Sequence, residues 1–570
     1  MKTATPLVCA AAVLLASWFA AEPGTPALAQ GPKQEDVRAL LQAVSKNIGA
    51  DNLTTLEYKG SGMVAAPGQG FDPIPVLIGV AESWPRFAAT NYTVTIDYRT
   101  MSSRESYTRT SPNRPVLFPG LELGGGEHGN QSDPPFKRGG GGVQNPTPQQ
   151  IDLRVSGKTA WDVTNNTSTR QWDYLFGIDT AEYRQLEIIL TPHGFIKAAL
   201  AQGANPMLVP GGGAARRVVL NNVLGKYKVI GTLEDNVVHL VETWIPNPVI
   251  GDMRITHEYV RWKDFGGIKF YTQDHSHFVD ATQQDNRQFQ IMDAKANVAI
   301  QPATFEVPAA VQQATRPQLR VQSTQLAQGV WLIGGGSHNS VLVEFRNFVA
   351  VVEAPQNDER SRAVVAEVRR LVPNKPIRYV VNTHYHWDHS GGLRGLVAAG
   401  AQLVTHDGNV EYYNRMMFGT KRTLMPDSLS EREELLGTSI RPQYMRVTNQ
   451  PAMITDRVWG SPEAGRIVEF YSVGTGSPPW SSHNEFFIVA YLPAERILIN
   501  ADLYSPPAAG TEGPSTPTEG MVALGHIIRE NNLNVTTHVP IHGQPGSHEQ
   551  FAKLLNGKAP PDAHGPLILP

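Results

Sequence analysis

The first half of the chain alternates apolar and polar residues with the period of a β-strand. Between residues 92 and 98, tyrosine, valine and isoleucine occupy every second position, and threonine or aspartate fills the positions between. This pattern is typical of a strand with one buried face. A short amphipathic helix is predicted at 34–48, and another helix at 180–200, where Pro192 must end or kink it. Further strands are predicted at 54–64, 153–163, 225–233, 236–245, 253–262 and 267–278.

The second half of the chain alternates strands with helices. Apolar runs at 329–333, 340–345 and 348–353 predict three closely spaced strands. A helix is predicted at about 359–371, and another apolar strand at 377–381. Such alternation indicates a layered α/β domain.

The change of pattern divides the chain into two predicted domains. Residues 30–307 are expected to form a mainly antiparallel β domain with a helix, and residues 319–570 the α/β domain. The stretch 308–318, which contains proline and several glutamines, is interpreted as a linker. The length of 570 residues agrees with this division, because one hydrophobic core rarely serves so long a chain.

The first 29 residues have the pattern of a signal peptide. Lys2 precedes an apolar run at 7–21, and Ala27 and Ala29 form a small-residue cleavage site before Gln30. The alternative is an uncleaved membrane anchor, but the apolar run is shorter than the roughly 20 residues that cross a bilayer. We therefore expect a periplasmic or secreted protein, with no stable membrane insertion after cleavage.

Composition and charge narrow the classes of function. A net charge of −3 and the lack of a long basic run argue against nucleic acid as a partner, so a small-molecule substrate is expected. Cys9 is the one cysteine of the sequence, and it lies in the predicted signal peptide. The mature protein would therefore have no disulfide, no thiolate nucleophile and no thiolate metal ligand.

Four side chains that can bind metal follow directly after the strand predicted at 377–381. They are His384, His386, Asp388 and His389. Two histidines separated by one residue can point the same way at the end of a strand. Imidazole and carboxylate suit Zn²⁺ without thiolates. A single histidine usually has a structural role, but such a role does not explain three histidines and an aspartate within six residues. The spacing predicts a metal centre.

This order of residues, His384-x-His386-x-Asp388-His389, resembles the HxHxDH signature of the metallo-β-lactamase superfamily. The resemblance covers roughly residues 319–570 and implies an αβ/βα sandwich, in which two sheets pack together with helices outside. In that fold the metals lie at one edge of the sandwich.

The resemblance also implies three ligands further along the chain. His483 precedes an apolar strand that ends in a Leu-Pro turn, and Asp502 ends the next apolar strand. His542 stands in a Pro-x-His-Gly sequence. His538 is the alternative to His542, which is preferred because it has the flanking proline and glycine.

With this ligand set, the resemblance implies a dinuclear zinc hydrolase. One metal would be bound by His384, His386 and His483, the other by Asp388, His389 and His542, and Asp502 would bridge them. A metal-bridging hydroxide would attack the substrate, and Asp388, the catalytic residue, would orient it. Two zinc ions per chain are expected, with iron or manganese as the open alternatives. Trp387, between two ligands, and His338, after a glycine-rich loop, are expected to contact the substrate.

The expected substrate is an ester, thioester, lactone or amide-type carbonyl compound. Zinc β-lactamases often have a lysine where this chain has Ser505, and residues 502–510 contain neither lysine nor arginine. Asp502 resembles instead the bridging residue of thioesterases and lactonases. Hydrolysis of β-lactams stays open as a side or main activity. A mononuclear iron dioxygenase on the same fold is an alternative.

The N-terminal half resembles, more faintly, the half-barrel of periplasmic lipoprotein-carrier proteins. Such a sheet can hold an apolar ligand in its concave face, which leaves a lipid-binding carrier with an inactive second domain as another alternative. A rigid accessory domain that shapes the active site explains the same pattern equally well.

Overall fold

The computed structural model describes residues 34–70, 84, 86–110, 148–209, 214–279, 284–457, 465–473, 484, 486–507 and 517–556. The predicted signal peptide at 1–29 and the predicted ligand His483 lie outside the described residues. Within these ranges, no helix has both the length and the apolar character needed to cross a membrane.

The described part of the N-terminal half is built on one antiparallel sheet of thirteen strands. These strands are β1 (Thr55–Ala65), β2 (Arg86–Asp97), β3 (Ser102–Thr110), β4 (Gln149–Ser156), β5 (Thr159–Thr164), β6 (Thr167–Gln171), β9 (Met207–Val209), β10 (Arg216–Val223), β11 (Tyr227–Glu234), β12 (Val237–Asn247), β13 (Gly251–Asp264), β14 (Lys269–Phe278) and β15 (Gln284–Ala296). A separate two-stranded sheet consists of β7 (Asp173–Tyr174) and β8 (Ile178–Asp179).

The first and last strands of this domain meet in the middle of the large sheet. Its order is β6-β5-β4-β3-β2-β1-β15-β14-β13-β12-β11-β10-β9. In β1, Leu56 lies opposite Ala296 of β15 on one side and Ile96 of β2 on the other. The β1–β15 pairing therefore joins the early and late strands into one continuous sheet.

Three helices pack against this sheet: α1 (Gln34–Ile48), α2 (Thr180–Leu190) and α3 (Pro192–Leu200). In α1, Val37, Leu41 and Val44 follow the spacing of one helix face and are at most 1% exposed. Burial of each such side chain stabilises the folded state by about 1.5–3 kcal/mol. The predicted break at Pro192 is confirmed, since Thr191 caps α3 by accepting a hydrogen bond from the Gly194 backbone N–H.

One predicted strand of this domain is wrong. Residues 153–163 form a hairpin of β4 and β5 instead of a single strand, with a turn at Gly157, whose φ is +53°. Apolar residues on both sides concealed the turn. Strand β3 was not predicted, because Tyr107 is its one buried apolar residue and the strand has no alternating apolar face.

Among the described residues, the C-terminal domain contains two sheets. The seven-stranded sheet follows the chain order of β16 (Gln322–Ala327), β17 (Val330–Gly335), β18 (His338–Glu344), β19 (Val349–Val352), β20 (Ile377–Val381), β21 (Gln402–His406) and β22 (Tyr444–Val447). The six-stranded sheet follows the chain order of β23 (Ala452–Thr455), β24 (Ile467–Val473), β25 (Phe487–Leu492), β26 (Ile497–Asn500), β27 (Thr537–Pro540) and β28 (Gly546–Ser547).

The two sheets share one hydrophobic core. Val341 and Val343 of β18 belong to the same buried cluster as Phe470 of β24 and Val489 of β25. Short helices connect the strands: α4 (Ala309–Gln313), α5 (Asp358–Leu371), α6 (Trp387–Ser390), α7 (Leu393–Ala398), α8 (Val410–Tyr412), α9 (Ser428–Leu436), α10 (Glu519–Glu530) and α11 (His548–Asn556).

Helices cover both outer faces of this pair of sheets. Val364 and Val368 of α5 pack with the outer side chains of the seven-stranded sheet. Leu524 of α10 and Phe551 of α11 belong to the core on the side of the six-stranded sheet. The layers are therefore helix, sheet, sheet and helix, as the resemblance to the metallo-β-lactamase superfamily implied.

Polar contacts hold the two domains together. Arg422, in the loop before α9, donates hydrogen bonds to the backbone carbonyls of Asn247 and Val249 at 3.0 and 2.8 Å. The Asp252 carboxylate accepts bonds from the backbone N–H groups of Thr423 and Leu424 at 2.9 and 3.0 Å. The turn between β12 and β13 is thus fastened to the C-terminal domain.

The start of α9 contains a buried ion pair that anchors this interface. Asp427 caps the helix by accepting a bond from the Ser430 backbone N–H at 2.9 Å, and it accepts bonds from Arg394 at 2.5 and 3.0 Å. Arg422 approaches the same carboxylate to 3.5 Å. Burial alone would raise the pKa of Asp427, but the bonds from Arg394 outweigh it and lower the pKa to about 2.

We expect Asp427→Asn to destabilise the C-terminal domain by about 3–5 kcal/mol, because two guanidinium groups lose their buried counter-charge while the helix cap is kept. Urea unfolding at neutral pH measures this loss. The control is Asp407→Asn, whose ion pair with Arg446 is exposed and is worth at most about 1 kcal/mol. Equal losses in the two variants would contradict the prediction.

The same pair predicts a pH dependence. The pKa of Asp427 in the folded state is below the ordinary value of 3.8. The contribution of Asp427 to the free energy of unfolding is therefore complete above pH 3.8, and it is lost as the pH falls towards about 2. The stability difference between the parent protein and Asp427→Asn should narrow over that interval.

Candidate metal centre

The predicted histidine cluster lies at the carboxyl end of β20. The chain leaves this strand at Asn382 and enters α6 with His386 at the position before its first residue. The side chains of His384, His386 and His389 are fully buried. Imidazole groups are rarely buried so completely without a hydrogen bond or a metal, so this end of the sandwich needs a chemical explanation.

The first group of potential ligands consists of His384, His389 and Asp502. The Asp502 Oδ2 atom lies 3.3 Å from His384 Nε2 and 3.0 Å from His389 Nε2. Asp502 follows β26 and has a φ of +45°. This left-handed conformation is uncommon for a residue other than glycine, and it is typical of tight turns and functional sites.

The second group consists of His338, Asp388, His389 and His542. His338 Nε2 and His389 Nε2 lie 3.3 and 3.5 Å from Asp388 Oδ2. His542 Nε2 lies 3.0 Å from Asp502 Oδ1. Asp502 Oδ2 thus faces His384 and His389, and Oδ1 faces His542, so one carboxylate contacts histidines of both groups.

The structure places His542, and not His538, at this centre. His538 is fully buried elsewhere, with its Nε2 atom 3.0 Å from Nδ1 of His548. Burial lowers the pKa of His538 to about 3, so it is neutral. His386 lies beside His384, with 4.5 Å between the ring centroids. Of the seven predicted ligands, His483 lies outside the described residues.

Three histidines of the predicted ligand set have a partner on Nδ1. His384 Nδ1 lies 3.0 Å from Thr383 Oγ1, and His389 Nδ1 lies 2.9 Å from Glu353 Oε2. His542 Nδ1 lies 3.1 Å from the Ser337 carbonyl oxygen. Carboxylate and carbonyl oxygens accept, so His389 and His542 donate outward and direct the Nε2 lone pairs inward.

The distance between the inward-facing Nε2 atoms tests whether a metal ion fits between the rings. His389 Nε2 and His542 Nε2 are only 3.1 Å apart. Two lone pairs at that distance repel each other unless a proton or a metal ion lies between them. The surrounding donors are nitrogen and oxygen atoms, which is the donor set that Zn²⁺ and related divalent ions accept. The described residues therefore fit a metal.

The electrostatics of the centre show the charge that such an ion would meet. Burial alone would lower the pKa of His389, but Asp502 and Asp388 outweigh it and raise the pKa well above its usual value. Burial would raise the pKa of Asp388, but His389 and His338 hold it well below its usual range. Asp388 is therefore a carboxylate, and without a metal His389 holds a proton, which an ion that binds Nε2 has to displace.

His338 is the first residue of β18 and is buried against Asp388. Burial lowers the pKa of His338 to about 4, so its ring is neutral at pH 7. Its Nδ1 atom lies 2.8 Å from Ser337 Oγ, which accepts a bond from Gln356 at 3.0 Å. The hydroxyl proton of Ser337 can thus go to His338, which leaves Nε2 to donate to Asp388. The predicted contact with substrate stays a prediction.

Trp387 lies between the ligands in sequence but points into the core. Its side chain is 2% exposed, and its Nε1 donates to the Tyr412 hydroxyl at 3.0 Å. Its ring packs edge-on against Trp84 of the N-terminal domain, with 5.6 Å between the centroids. This position supports the metal centre from behind, and contact of Trp387 with substrate stays a prediction.

Sequence reasoning missed Glu353. Its carboxylate is fully buried and accepts from the Thr383 backbone N–H at 2.6 Å besides contacting His389. Glu353 directly follows β19 and has a φ of +71°. An acidic residue that ends a fully apolar strand was the available signal, because parallel neighbours β19 and β20 end at the same edge of the sheet.

A segment of the N-terminal domain also reaches the centre. Gln69 Nε2 donates to Asp388 Oδ1 at 2.7 Å, and His386 Nε2 lies 2.7 Å from the Gly70 carbonyl oxygen. The Trp387 backbone N–H donates to the Gly68 carbonyl at 3.3 Å. These contacts join residues more than three hundred positions apart, and no sequence signal pointed to them.

The C-terminal domain is similar to proteins of a known superfamily. Residues 333–531 match the metallo-beta-lactamase superfamily. This range includes the histidine cluster and Asp502 and ends before His542. A linear primary-alkylsulfatase from a Pseudomonas species is 25% identical over 245 residues, which are 38% of this chain and 43% of that protein. The match thus spans less than half the length of this relative.

Two solved structures are also similar to only part of this chain. A metallo-beta-lactamase from Pontibacter korlensis is 16% identical and covers 41% of this chain and 95% of its own, with a TM-score of 0.29. A metallo-beta-lactamase from Hirschia baltica is 19% identical and covers 41% of this chain and 94% of its own, with a TM-score of 0.28.

We expect Glu353→Gln to weaken metal binding by about 10–100-fold, because an amide holds the His389 ring less firmly than a carboxylate does. Metal affinity is measured by competition with a chromogenic chelator. The matched control is Glu344→Gln, at the other end of β18, where the glutamate pairs with Lys375. Equal affinities in both variants would show that Glu353 does not orient a ligand.

Proposed function

We propose that this chain, whose residues 333–531 match the metallo-beta-lactamase superfamily, is an exported hydrolase that uses two zinc ions. The observation that carries the proposal is the position of Asp502, whose carboxylate lies between His384 on one side and His542 on the other, with His389 beside it. Iron or manganese in place of zinc would suit most of the same donors, so metal analysis has to decide between them.

The proposed ligand sets follow from the geometry and the superfamily pattern together. His384, His386 and His483 hold one ion, Asp388, His389 and His542 hold the other, and Asp502 is shared. When bound, such a pair of ions lowers the pKa of water towards neutrality and polarises the bond to be cleaved. The mature chain has no cysteine, and a hydrolase of this kind needs no serine or cysteine nucleophile.

The residues around the ions contribute orientation and proton transfer. Asp388 keeps Oδ2 directed to the centre while Gln69 holds Oδ1, so it can accept a proton from the attacking water. His338 is neutral at pH 7, because burial lowers its pKa to about 4. Its one N–H is directed to Asp388, so His338 helps to hold that carboxylate, and any contact of His338 with substrate would be made by the face of its ring.

The substrate proposed first is an ester, thioester, lactone or amide-type carbonyl compound. Ser505 stands where zinc β-lactamases often have lysine, and no basic residue lies at 502–510. Hydrolysis of β-lactams is therefore proposed as a side activity. The alkylsulfatase relative adds sulfate esters as the second candidate, since the same metal chemistry can cleave a sulfate ester.

The N-terminal sheet is proposed to form a half-barrel that holds a ligand. A small cavity of about 50 Å³ lies between α2 and the sheet, so a larger ligand would need the sheet and the helix to move apart. Tyr58, Glu105 and Arg287 line it, so a ligand there would need polar groups in addition to the apolar surface expected from the sequence. A lipid carrier with an inactive second domain is opposed by the ligands that the second domain brings together.

Export to the periplasm or the medium is proposed from the leader pattern at 1–29, and the boundaries 30–307, 308–318 and 319–570 are proposed as the mature domains. The short helix α4 lies within the proposed linker.

Purified mature protein is expected to hold about two transition-metal ions per chain, and removal of these ions by a chelator should abolish hydrolysis. Asp388→Ala should lose about one ion and nearly all activity. Asp293→Ala, which removes a partly exposed carboxylate that pairs with Lys295 in the N-terminal sheet, is the control for expression and folding. Metal content near zero, or full activity of Asp388→Ala, would refute the dinuclear proposal.

A panel of chromogenic substrates ranks the substrate classes. The panel contains a carboxylic ester, a thioester, a lactone, a β-lactam and a primary alkyl sulfate. The carbonyl compounds should be hydrolysed faster than the alkyl sulfate. Faster hydrolysis of the alkyl sulfate would favour the second candidate instead. Oxygen consumption without hydrolysis of any member would favour the dioxygenase alternative.

A further inference from the structure

We propose that Gly68–Gly70 of the N-terminal domain is part of the metal centre, where Gly70 fixes the tautomer of His386 and Gln69 orients Asp388. This inference extends the proposed function and depends on it. It makes the N-terminal domain a contributor to the reactive site and not only a neighbouring module.

The segment is preorganised by a tight turn. The Gln69 backbone N–H donates to the Ala66 carbonyl at 3.3 Å, with Pro67 and Gly68 between them, and Gly68 has a φ of +76°. Proline followed by a residue of positive φ is the signature of a type II turn. The turn follows β1 directly, so the large sheet holds the segment in place.

Gly68 is required by close packing as well as by its backbone conformation. A Cβ atom at this position would lie 2.3 Å from two atoms of the Trp387 ring. The Gly68 carbonyl also accepts the Trp387 backbone N–H. The segment is therefore docked on the residue that stands between His386 and Asp388 in the chain.

The contact of Gly70 with His386 decides which nitrogen can bind a metal. The Gly70 carbonyl only accepts, so His386 Nε2, 2.7 Å away, must carry the proton. In a neutral ring the lone pair is then on Nδ1. A backbone carbonyl cannot change its hydrogen-bonding role, so His386 is kept in a form that binds metal through Nδ1. His384, His389 and His542 have their outer partners on Nδ1 instead.

The contact of Gln69 with Asp388 gives the two carboxylate oxygens different partners. Gln69 holds Oδ1 at 2.7 Å, while Oδ2 lies within 3.5 Å of His338 and His389. The amide is a neutral donor, so it orients the carboxylate and leaves its full charge for a metal. A lysine or arginine at position 69 would compete with the metal for the same charge.

The first test compares Gln69→Ala with Gln290→Ala, a control at an exposed residue of β15 in the same sheet. Zinc affinity is measured by chelator competition, and cobalt-loaded protein is examined by visible absorption. We expect Gln69→Ala to weaken one of the two sites by about 10–100-fold and to change the cobalt spectrum. A merely structural role for Gln69 would lower thermal stability and leave the spectrum unchanged.

The second test compares Gly68→Ala with Gly157→Ala. Both glycines have a positive φ, but a Cβ at Gly157 meets nothing within 4 Å, so the control has the backbone strain without the clash. Gly68→Ala should displace Gln69 and Gly70 together and weaken both metal sites. If Gly68→Ala does not fold, Gln69→Ala still decides the inference.

The outcomes separate this inference from the proposed function. Two tight sites in the parent, retained in Gln69→Ala with an unchanged cobalt spectrum, would overturn the role of the segment and leave the hydrolase proposal intact. A parent protein that binds neither zinc nor cobalt would overturn the proposed function and this inference with it.

Discussion

Two imidazole nitrogens, His389 Nε2 and His542 Nε2, face each other across 3.1 Å, and this close approach governs the architecture around them. Glu353 and the Ser337 carbonyl hold the outer nitrogens of the two rings, so neither ring can turn away. Asp502 and Asp388 add negative charge at the same place. Buried groups of this kind are stable together only with a proton or a metal ion between them, and the fold supplies the rigid frame that keeps them there.

That frame comes from the ends of strands. Residues after β19, β20 and β26 supply Glu353, the histidine cluster and Asp502, and the start of β18 supplies His338. Parallel pairing of β19 with β20 brings two of these ends to one edge. The two sheets share a packed apolar core, and such a core resists the small shifts that would separate the groups.

The N-terminal domain completes the frame from outside. Its turn at Gly68–Gly70 contacts His386, Trp387 and Asp388, and the Arg422 and Asp252 contacts fasten the domains a second time. A sheet that joins its first and last strands in the middle provides a firm base for the turn. The match to the metallo-beta-lactamase superfamily covers residues 333–531, so the contribution of the N-terminal domain lies outside that match.

Local sequence alone determined several features of this protein. The apolar strand at 377–381, the spacing of His384 to His389 and the break at Pro192 depend on neighbouring residues, and period and residue type are sufficient to predict them. The hairpin at 153–163 and strand β3 were missed because partly exposed strands have no clear alternation. The flanking proline and glycine favoured His542 over His538, but only the tertiary structure showed how His542 faces His389, placed Glu353 behind His389, and brought Gln69 to Asp388. The physical reason is that these contacts join distant parts of the chain, and a hydrogen bond between such residues leaves no periodic trace in either local sequence.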